Sequence, residues 1–311
     1  MSTPVLSVVI PTRNRAALLA GALASVEAIG SDRLQVEMIV VDDGSTDETR
    51  LVAERYGVRL LASTGRGASA SRNHGMTAAT GEFLLFLDDD DQLVPHQVRR
   101  LVDVLMGDPG LGAAFGQVQL TDERLVPFGD PYPSTVSDPL HYMLGTWQQI
   151  GSVVVRTAVR ETVGKFDQSL VDSEDWDWLL RLVLRHRTAF VAVPCVLFRQ
   201  RRSGSQDALS YRRLAFMRRA FWRNVGRAGD RRPPVRDLLR MYARHNGNFS
   251  AHFLLSAKAH SAQGDAAGCR AALRGAFISS PLHATVGMAR EPGLLGLAVR
   301  SCLPGPMGLQ Q

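Results

Sequence analysis

An acidic cluster follows a short apolar run in the N-terminal half of the chain. The segment "FLLFLDDDDQL" spans residues 83–93 and places Asp88, Asp89, Asp90 and Asp91 directly after five apolar residues. Two unit charges about 5 Å apart repel by roughly 3 kcal/mol at an effective dielectric constant near 20. Four neighbouring carboxylates therefore either lie in water at an acidic turn or share a cation that offsets their charge. The surrounding elements decide between these interpretations.

The segments around this cluster alternate short β-rich runs with stretches of helical spacing. Strands are predicted over residues 5–10, 36–41, 58–62 and 82–87, and helices over residues 15–29, 46–56, 68–80 and 95–106. Ser45 and Glu48 have the spacing of a capping box for the second helix. Two later strands, 151–156 and 189–198, flank a helix that begins near "SEDWDWLLRLVLRH". This alternation favours an α/β fold with a Rossmann-like, mostly parallel sheet and helices on both faces.

Two acidic turns lie at the carboxyl ends of predicted strands, where open α/β sheets bind their ligands. "VVDDGS" ends the second strand and "FLDDDD" ends the fourth. The first strand is followed by "PTRNRAAL", which lacks the glycines of a dinucleotide or P-loop site. "GRG" at residues 65–67 follows the third strand and lacks the third glycine. The acidic turns therefore favour a ligand site other than that of a dehydrogenase or an ATPase.

The overall composition is that of a soluble globular protein, with 45% hydrophobic and 21% charged residues. Cys195, Cys269 and Cys302 match neither a disulfide framework nor a zinc spacing, which indicates a reducing compartment. The N-terminus "MSTPVLSVVIP" has no positive leader, and no segment approaches the roughly 20 apolar residues of a membrane span. These features predict a cytoplasmic protein.

The charge is distributed unevenly along the 311 residues. Residues 1–200 contain 18 Lys and Arg against 25 Asp and Glu, a net charge of −7, whereas residues 201–311 contain 18 against 5, a net charge of +13. We place a domain boundary near residue 205, after a proline-containing stretch at 107–150 that is predicted as loops. The basic tail is predicted to be helical, with two helices joined at Gly264-Asp265. Its arginines form either a solvated surface or a face for an anionic membrane, and no nucleic-acid motif is present.

Five segments carry a resemblance to a known family. In chain order they are "SVVIPTRNR", "VVDDGSTDET", "ASRNHGMTAATGEFLLFLDDDD", "GSVVVRTAVRETVGKFDQSL" and "EDWDWLLRL". Together they resemble the family-two inverting nucleotide-sugar glycosyltransferases, which have the glycosyltransferase A fold. The resemblance covers roughly residues 5–205.

The resemblance implies a nucleotide site at the ends of the first two strands. Pro11 and Thr12 would end the first strand against the base. Asp43, with Asp42 beside it, would accept a hydrogen bond from the ring N–H of the base. The alternative is that both aspartates only build the turn before the next helix.

The resemblance also gives the acidic cluster a role. Asp88 and Asp90 would form an Asp-x-Asp pair that binds Mn²⁺ or Mg²⁺, with Asp90 as the direct ligand, and Asp89 would reach the ribose hydroxyls. Alternate side chains of an extended segment point to one side, so Asp88 and Asp90 can converge. The cation would offset the charge of the departing diphosphate, and it would make four carboxylates tolerable. Asp91 would support this site or cap the following helix.

The general base implied by the resemblance is Asp175 in "SEDWDW". Asp175 would take the proton of the acceptor hydroxyl during one in-line displacement that inverts the anomeric carbon. Glu174 and Trp176 would lie at the acceptor or sugar pocket. Acidic residues also stabilise the first turn of a helix, and core packing is an equal interpretation of Trp176.

Three arginines are candidates for contact with the diphosphate: Arg66 and Arg72 near the third strand, and Arg202 in "FRQRRSGSQ". The chain lacks the Gln-x-x-Arg-Trp segment of processive synthases, which favours transfer of a single sugar.

The expected protein has a catalytic domain at 1–205, with a nucleotide-sugar half (1–106) and an acceptor half (107–205), followed by a basic helical region at 206–311. It would move a sugar from a nucleoside-diphosphate donor, UDP-sugar by default, to a saccharide or to a lipid-linked or cell-surface polysaccharide. Peripheral contact with the inner face of the membrane through the basic tail is a further expectation. A nucleotidyltransferase and a catalytically inactive scaffold are the alternatives.

Overall fold

The computed structural model describes residues 3–170, 173–200, 206–229, 232–290 and 293. These residues form one eight-stranded sheet in the order β3-β2-β1-β4-β7-β6-β8-β5. The strands are β1 (Val5–Thr12), β2 (Gln35–Asp42), β3 (Arg59–Ala62), β4 (Phe83–Phe86), β5 (Gln92–Leu93), β6 (Leu111–Thr121), β7 (Val153–Arg156) and β8 (Arg187–Arg199). The pairs β3–β2, β2–β1, β1–β4 and β6–β8 are parallel, and the other three are antiparallel.

The helices that cover the sheet and form the C-terminal region are α1 (Ala16–Glu27), α2 (Thr49–Arg55), α3 (Ala68–Ala78), α4 (Pro95–Gly107), α5 (Pro139–Gly145), α6 (Arg160–Val163), α7 (Glu174–Arg185), α8 (Gln206–Val225), α9 (Val235–Ala262), α10 (Ala266–Ser279) and α11 (Pro281–Arg290). None of the helices in the described ranges has the length and apolar content needed to cross a bilayer.

The central strand β1 is apolar along its length because both faces of the sheet are covered. Val8 and Ile10 pack on one face against α1 and α4, whereas Val9 packs on the opposite face with side chains of α3 and α7. This arrangement brings the carboxyl ends of β1, β2, β3 and β4 to the same edge of the sheet. The predicted α/β fold with helices on both faces of the sheet and a helical C-terminal region is confirmed.

The stretch 107–150, predicted as loops, contains the 11-residue strand β6 and the helix α5. β6 has the sequence "LGAAFGQVQLT", and its small residues have low strand propensity. Gly116 is needed because β8 approaches closely: a Cβ on Gly116 would lie 2.6 Å from Cys195 Sγ. The packing of the sheet, rather than local preference, sets this strand.

The chain folds as two compact units. The first comprises residues 1–143, 147–202 and 222–232, and the second comprises residues 144–146, 203–221 and 233–311. In the second unit, α9, α10 and α11 share a small core whose buried members include Phe253, Leu273 and Met288. The predicted helix break at Gly264-Asp265 is confirmed, because α9 ends at Ala262 and Asp265 caps α10 by accepting a hydrogen bond from Gly268 N.

Candidate active site

An open cleft of about 430 Å³ lies at the carboxyl ends of β2 and β3. It is lined by Arg13, Asp42, Asp43, Gly44, Ala62, Ser63 and Arg66. Three of these, Asp42, Asp43 and Arg66, are sequence-predicted nucleotide-binding residues. The cleft therefore brings together carboxylates that can accept hydrogen bonds and guanidinium groups that can bind an anion.

Asp42 and Asp43, in the turn after β2, have different hydrogen-bond partners. Asp42 Oδ1 accepts hydrogen bonds from Ser45 N at 2.9 Å and from Ser45 Oγ at 2.5 Å. Asp43 Oδ2 accepts one from Gly67 N at 2.9 Å, which connects the turn to the start of α3. Gly44 has φ +81°, a conformation that favours glycine. Asp42 thus builds the turn, which is the alternative that the sequence left open, and Asp43 is the better candidate for contact with a ligand.

The capping box predicted for the helix after this turn does not form. Ser45 bonds Asp42, and α2 begins only at Thr49, without a side-chain hydrogen bond from Glu48 at its start. The competing local turn around Asp42 explains the error.

Asp89 is buried against the end of β1. Its Oδ2 accepts a hydrogen bond from Thr12 Oγ1 at 2.7 Å, and its Oδ1 accepts one from Arg15 at 2.9 Å. Burial raises the pKa of Asp89, and the bonds to Arg15 and Thr12 oppose this rise. Asp89 is 3% exposed. Asp89 and Thr12 thus fix the acidic turn to β1, with Pro11 immediately before Thr12. The ribose contact of Asp89 stays a prediction.

Arg72 joins the acidic turn to α7. Its guanidinium donates to Asp88 Oδ1 at 2.7 Å and to Glu174 Oε1 at 2.7 Å, and the residue is 4% exposed. Burial alone would lower the pKa of Arg72, but the charges of Asp88 and Glu174 outweigh it and raise that pKa. Arg72 thus forms ion pairs with Asp88 and with Glu174 at the start of α7, and its contact with a diphosphate stays a prediction.

Asp91 is buried on the other side of the turn. It accepts hydrogen bonds from Arg199 N and from Gln149 Nε2, both at 2.9 Å. Burial, followed by the nearby charge of Asp88, raises the pKa of Asp91 well above its usual value. Asp91 does not cap α4, whose start has no side-chain cap.

The acidic cluster is stabilised by the protein itself. Asp88 pairs with Arg72, Asp89 with Arg15, and Asp91 with amide donors, while Asp90 Oδ2 lies 3.8 Å from Arg15. Contacts within the protein therefore offset part of the charge of the four carboxylates, and the shared cation stays a prediction.

Two of the four carboxylates keep access to solvent. The side chains of Asp88 and Asp90 are 31% and 18% exposed, unlike those of Asp89 and Asp91. The described part of the chain has no group of three or more His, Cys, Asp or Glu arranged to hold a metal. Two carboxylates suit a Mg²⁺- or Mn²⁺-type ion whose other ligands are water and substrate phosphate oxygens.

Asp175 lies in the first turn of α7, partly buried next to this cluster. Its Oδ1 accepts from Trp176 N at 2.7 Å and its Oδ2 from Trp147 Nε1 at 3.2 Å. Burial, then the negative charge of Glu174, raises the pKa of Asp175 to about 7, although Arg72 lowers it. A carboxylate with this pKa is suited to accept a proton near neutral pH.

The aromatic residue next to the candidate base is Trp147, which the sequence did not reveal. Trp147 is partly exposed, and its ring centroid lies 6.0 Å from that of Phe198. Trp176, the predicted pocket residue, is only 1% exposed and donates its indole N–H to Met143 O at 3.2 Å. Trp176 therefore belongs to the core, as the alternative interpretation held. Trp147 and Gln149 were missed because they lie in the stretch predicted as loops, where no spacing marks them.

α7 is anchored beneath the site by Asp177. This carboxylate is fully buried and binds Arg181 Nε at 3.0 Å, and both Arg223 and Asn224 at 2.7 Å. Arg223 and Asn224 lie at the end of α8, in the segment 222–232 that belongs to the first unit. Arg202, the third predicted diphosphate contact, lies outside the described residues.

Comparison with known proteins places these features in a family context. Residues 7–149 match the family model "Glycosyl transferase family 2". The chain is 34% identical over 127 residues to the GalNAc(5)-diNAcBac-PP-undecaprenol beta-1,3-glucosyltransferase of Campylobacter jejuni, covering 39% of this chain and 40% of that protein. The chain spans 62% and 40% of the lengths of the first two curated relatives that it matches.

Solved structures share the fold at low sequence identity. Staphylococcus aureus TarS 1–349 in complex with UDP has a TM-score of 0.64 and 18% identity, over 95% of this chain and 87% of that one. The mannosyltransferase PcManGT from Pyrobaculum calidifontis, in complex with GDP-Man and Mn²⁺, has a TM-score of 0.58 and 20% identity, over 97% and 88%.

Proposed function

We propose that this chain, whose residues 7–149 match the family model "Glycosyl transferase family 2", transfers one sugar from a nucleoside-diphosphate donor to a saccharide or lipid-linked acceptor, with inversion at the anomeric carbon. The observation that carries the proposal is the bridge Asp88–Arg72–Glu174. It holds the acidic turn next to the start of α7. In that helix the residue after Glu174 is Asp175, which has a pKa of about 7. A donor-binding element and a general base are thereby held next to each other.

The donor nucleotide would occupy the cleft after β2 and β3. Asp43 would accept a hydrogen bond from the ring N–H of the base. Arg13 and Arg66 line the same cleft and give it positive charge. Uridine diphosphate is the proposed nucleotide by default. Asp88 and Asp90 would hold a Mn²⁺ or Mg²⁺ ion, whose positive charge stabilises a departing diphosphate. The Mn²⁺ in the PcManGT complex supports the choice of ion.

Asp175 would act on the acceptor. As the acceptor oxygen forms its bond to the anomeric carbon, the bond from that carbon to the diphosphate breaks and its electron pair leaves with the nucleotide. The hydroxyl proton passes to Asp175, and single displacement inverts the configuration. Trp147 and Trp176 N donate to the two oxygens of this carboxylate, which restricts its rotation.

The acceptor is proposed from chemistry and from one relative. The Campylobacter jejuni protein is named for an undecaprenol-linked substrate. We propose a saccharide or lipid-linked saccharide, read by the acceptor half at 107–205, with 1–205 as the catalytic domain. A lipid-linked acceptor would place the protein at the inner face of the membrane.

The test compares Asp175→Asn with Asp103→Asn, a matched change at an exposed aspartate of α4. Thermal shifts with uridine, guanosine, thymidine and cytidine diphosphates, each with and without Mn²⁺, identify the nucleotide. A ligand at 100 times its dissociation constant stabilises by about 2.7 kcal/mol. Asp175→Asn should keep that shift and lose turnover, measured as nucleoside diphosphate released from the matching nucleotide sugar. Unchanged turnover would remove Asp175 as the base, and no shift with any nucleotide would overturn the proposal as a whole.

A further inference from the structure

Four large apolar side chains are exposed where α10 meets α11. Phe277 and Ile278, in the last turn of α10, are 39% and 57% exposed, and Leu282 and Val286 of α11 are 71% and 41% exposed. Leu282 and Val286 are four residues apart and therefore share one face of α11. We call these four side chains the α10–α11 patch.

The patch is not a part of the core of these helices. Residues on the inner side of α10 and α11, including Leu273, Ala276 and Met288, already pack against α9. Single exposed apolar side chains are common, but several together on neighbouring turns indicate an interaction surface. α10 and α11 thus have two apolar sides. One side packs in the core with α9, and the other is exposed to solvent.

Exposed arginines flank the patch along the sequence of α10 and α11. Residues 266–290 contain no Asp or Glu, and their three arginines, Arg270, Arg274 and Arg290, are all exposed. Arg270 and Arg274 precede Phe277 and Ile278 by one to two turns, and Arg290 follows Val286 by one. A second copy of the chain would oppose these arginines with the same charges, which disfavours self-association through this face.

We propose that the α10–α11 patch docks on an anionic phospholipid surface. Apolar side chains at one helix face, flanked by arginines, are the pattern of helices that lie in the membrane interface. The leucine, isoleucine, valine and phenylalanine side chains would enter the boundary between headgroups and acyl chains, while the guanidinium groups bind lipid phosphates. The inference fits a lipid-linked acceptor but does not require the proposed sugar transfer, since it concerns this surface alone.

The experiment is co-sedimentation of the full chain with vesicles of phosphatidylcholine, alone or mixed with phosphatidylglycerol. We expect binding to the mixed vesicles that weakens as salt is raised, and little binding to phosphatidylcholine alone. Leu282→Glu should reduce partitioning into mixed vesicles by about ten-fold or more, because it removes an apolar insertion and adds a negative charge. Replacing Arg270 and Arg274 by glutamine should reduce it by about five-fold for each arginine.

The matched control is Leu239→Glu, the same change at a leucine of α9 that is 54% exposed and lies outside the patch. It should bind vesicles as the unaltered protein does. Equal losses for both leucine variants, equal binding to both kinds of vesicle, or no binding to either would overturn the proposal. The proposal would also be overturned if sedimentation velocity showed a dimer that Leu282→Glu dissociates, because a second copy of the chain would then cover the patch. Nucleotide-dependent thermal shifts of the same variants separate this outcome from a failure of the proposed transfer.

Discussion

The chemistry of the candidate site depends on how each carboxylate is surrounded. Asp88, Asp89, Asp90 and Asp91 are consecutive, yet two are buried on hydrogen-bond donors and two remain partly exposed. The sequence predicted the cluster, the turn after β2 and the candidate base. It did not predict Arg15 as a partner of Asp89 or Gln149 as a partner of Asp91, because these pairs are 74 and 58 positions apart in sequence. It did not predict Trp147 as a partner of Asp175, because Trp147 lies in a stretch without a pattern.

Turnover should fall as the pH falls through about 7. Asp175 must be ionised to take a proton, and burial and Glu174 raise its pKa to that value. The measurement is the rate of nucleoside diphosphate release from pH 5 to 9, at saturating donor. A rate that stays constant below pH 6 would contradict the assignment.

Trp147→Phe should move this acid limb to higher pH. The indole N–H donates to Asp175 Oδ2 and favours the ionised carboxylate, whereas phenylalanine keeps a ring but no donor. A net hydrogen bond of about 1 kcal/mol corresponds to somewhat less than one pH unit. Arg72, Glu174 and Asp88 also act on Asp175 and are unchanged in this variant. Trp222→Phe, at an exposed tryptophan, is the control, and a loss of rate that is equal at every pH would show that Trp147 has only a packing role.

Asp175→Asn should be more stable than the unaltered protein at pH 8, with a smaller difference at pH 5. The pKa of Asp175 is higher in the folded than in the unfolded chain, so its ionisation opposes folding once the pH exceeds the unfolded value of 3.8, and the effect is complete above about 7. Thermal unfolding at the two pH values measures it. A lower melting temperature at pH 8 would mean that the carboxylate supports the fold.

At the scale of elements, α7 is held by its buried acidic face rather than by its cap. Ser173 makes no side-chain cap bond at the start of α7, while Asp177 binds Arg181, Arg223 and Asn224. Helical spacing predicted α7, because a helix can be recognised from its own residues. β6 could not be recognised in this way, because its small residues are explained only by the approach of β8.

Asp177→Asn should lower the stability of the first unit substantially. It leaves Arg223 and Arg181 without a buried counter-charge, and removing one partner of a buried pair costs about 3 to 5 kcal/mol. Asp167→Asn is the matched control, since Asp167 binds the same Arg223 at 2.7 Å but its side chain is 27% exposed. Its loss should be about 1 kcal/mol or less. Urea unfolding measures both, and equal losses would contradict the importance of burial here.

At the scale of the whole molecule, the sequence shows a change of net charge near residue 205. The two compact units of the structure do not divide the chain at one position. Residues 222–232 return to the first unit after residues 203–221 have entered the second. Composition cannot reveal this return, because it depends on Arg223 and Asn224 reaching Asp177 across 46 and 47 positions of sequence.

A chain that ends at residue 232 should therefore be more stable than one that ends at residue 205. The longer chain keeps the partners of Asp177, and the shorter one leaves that carboxylate buried without Arg223. Melting temperature, and its shift with nucleotide and Mn²⁺, compares the two. Equal stability would mean that the segment 222–232 adds nothing to the first unit.

Because residues 222–232 belong to the first unit, they limit where the C-terminal region of this protein can be exchanged for that of a relative. An exchange of C-terminal regions between relatives, by recombination or by engineering, would replace Arg223 and Asn224 if the junction lay near residue 205. A junction after residue 232 would exchange most of the second unit while the first unit keeps Arg223 and Asn224 as partners of Asp177. A junction that preserves the first unit thus lies after α8, about 30 residues later than the change of charge indicates.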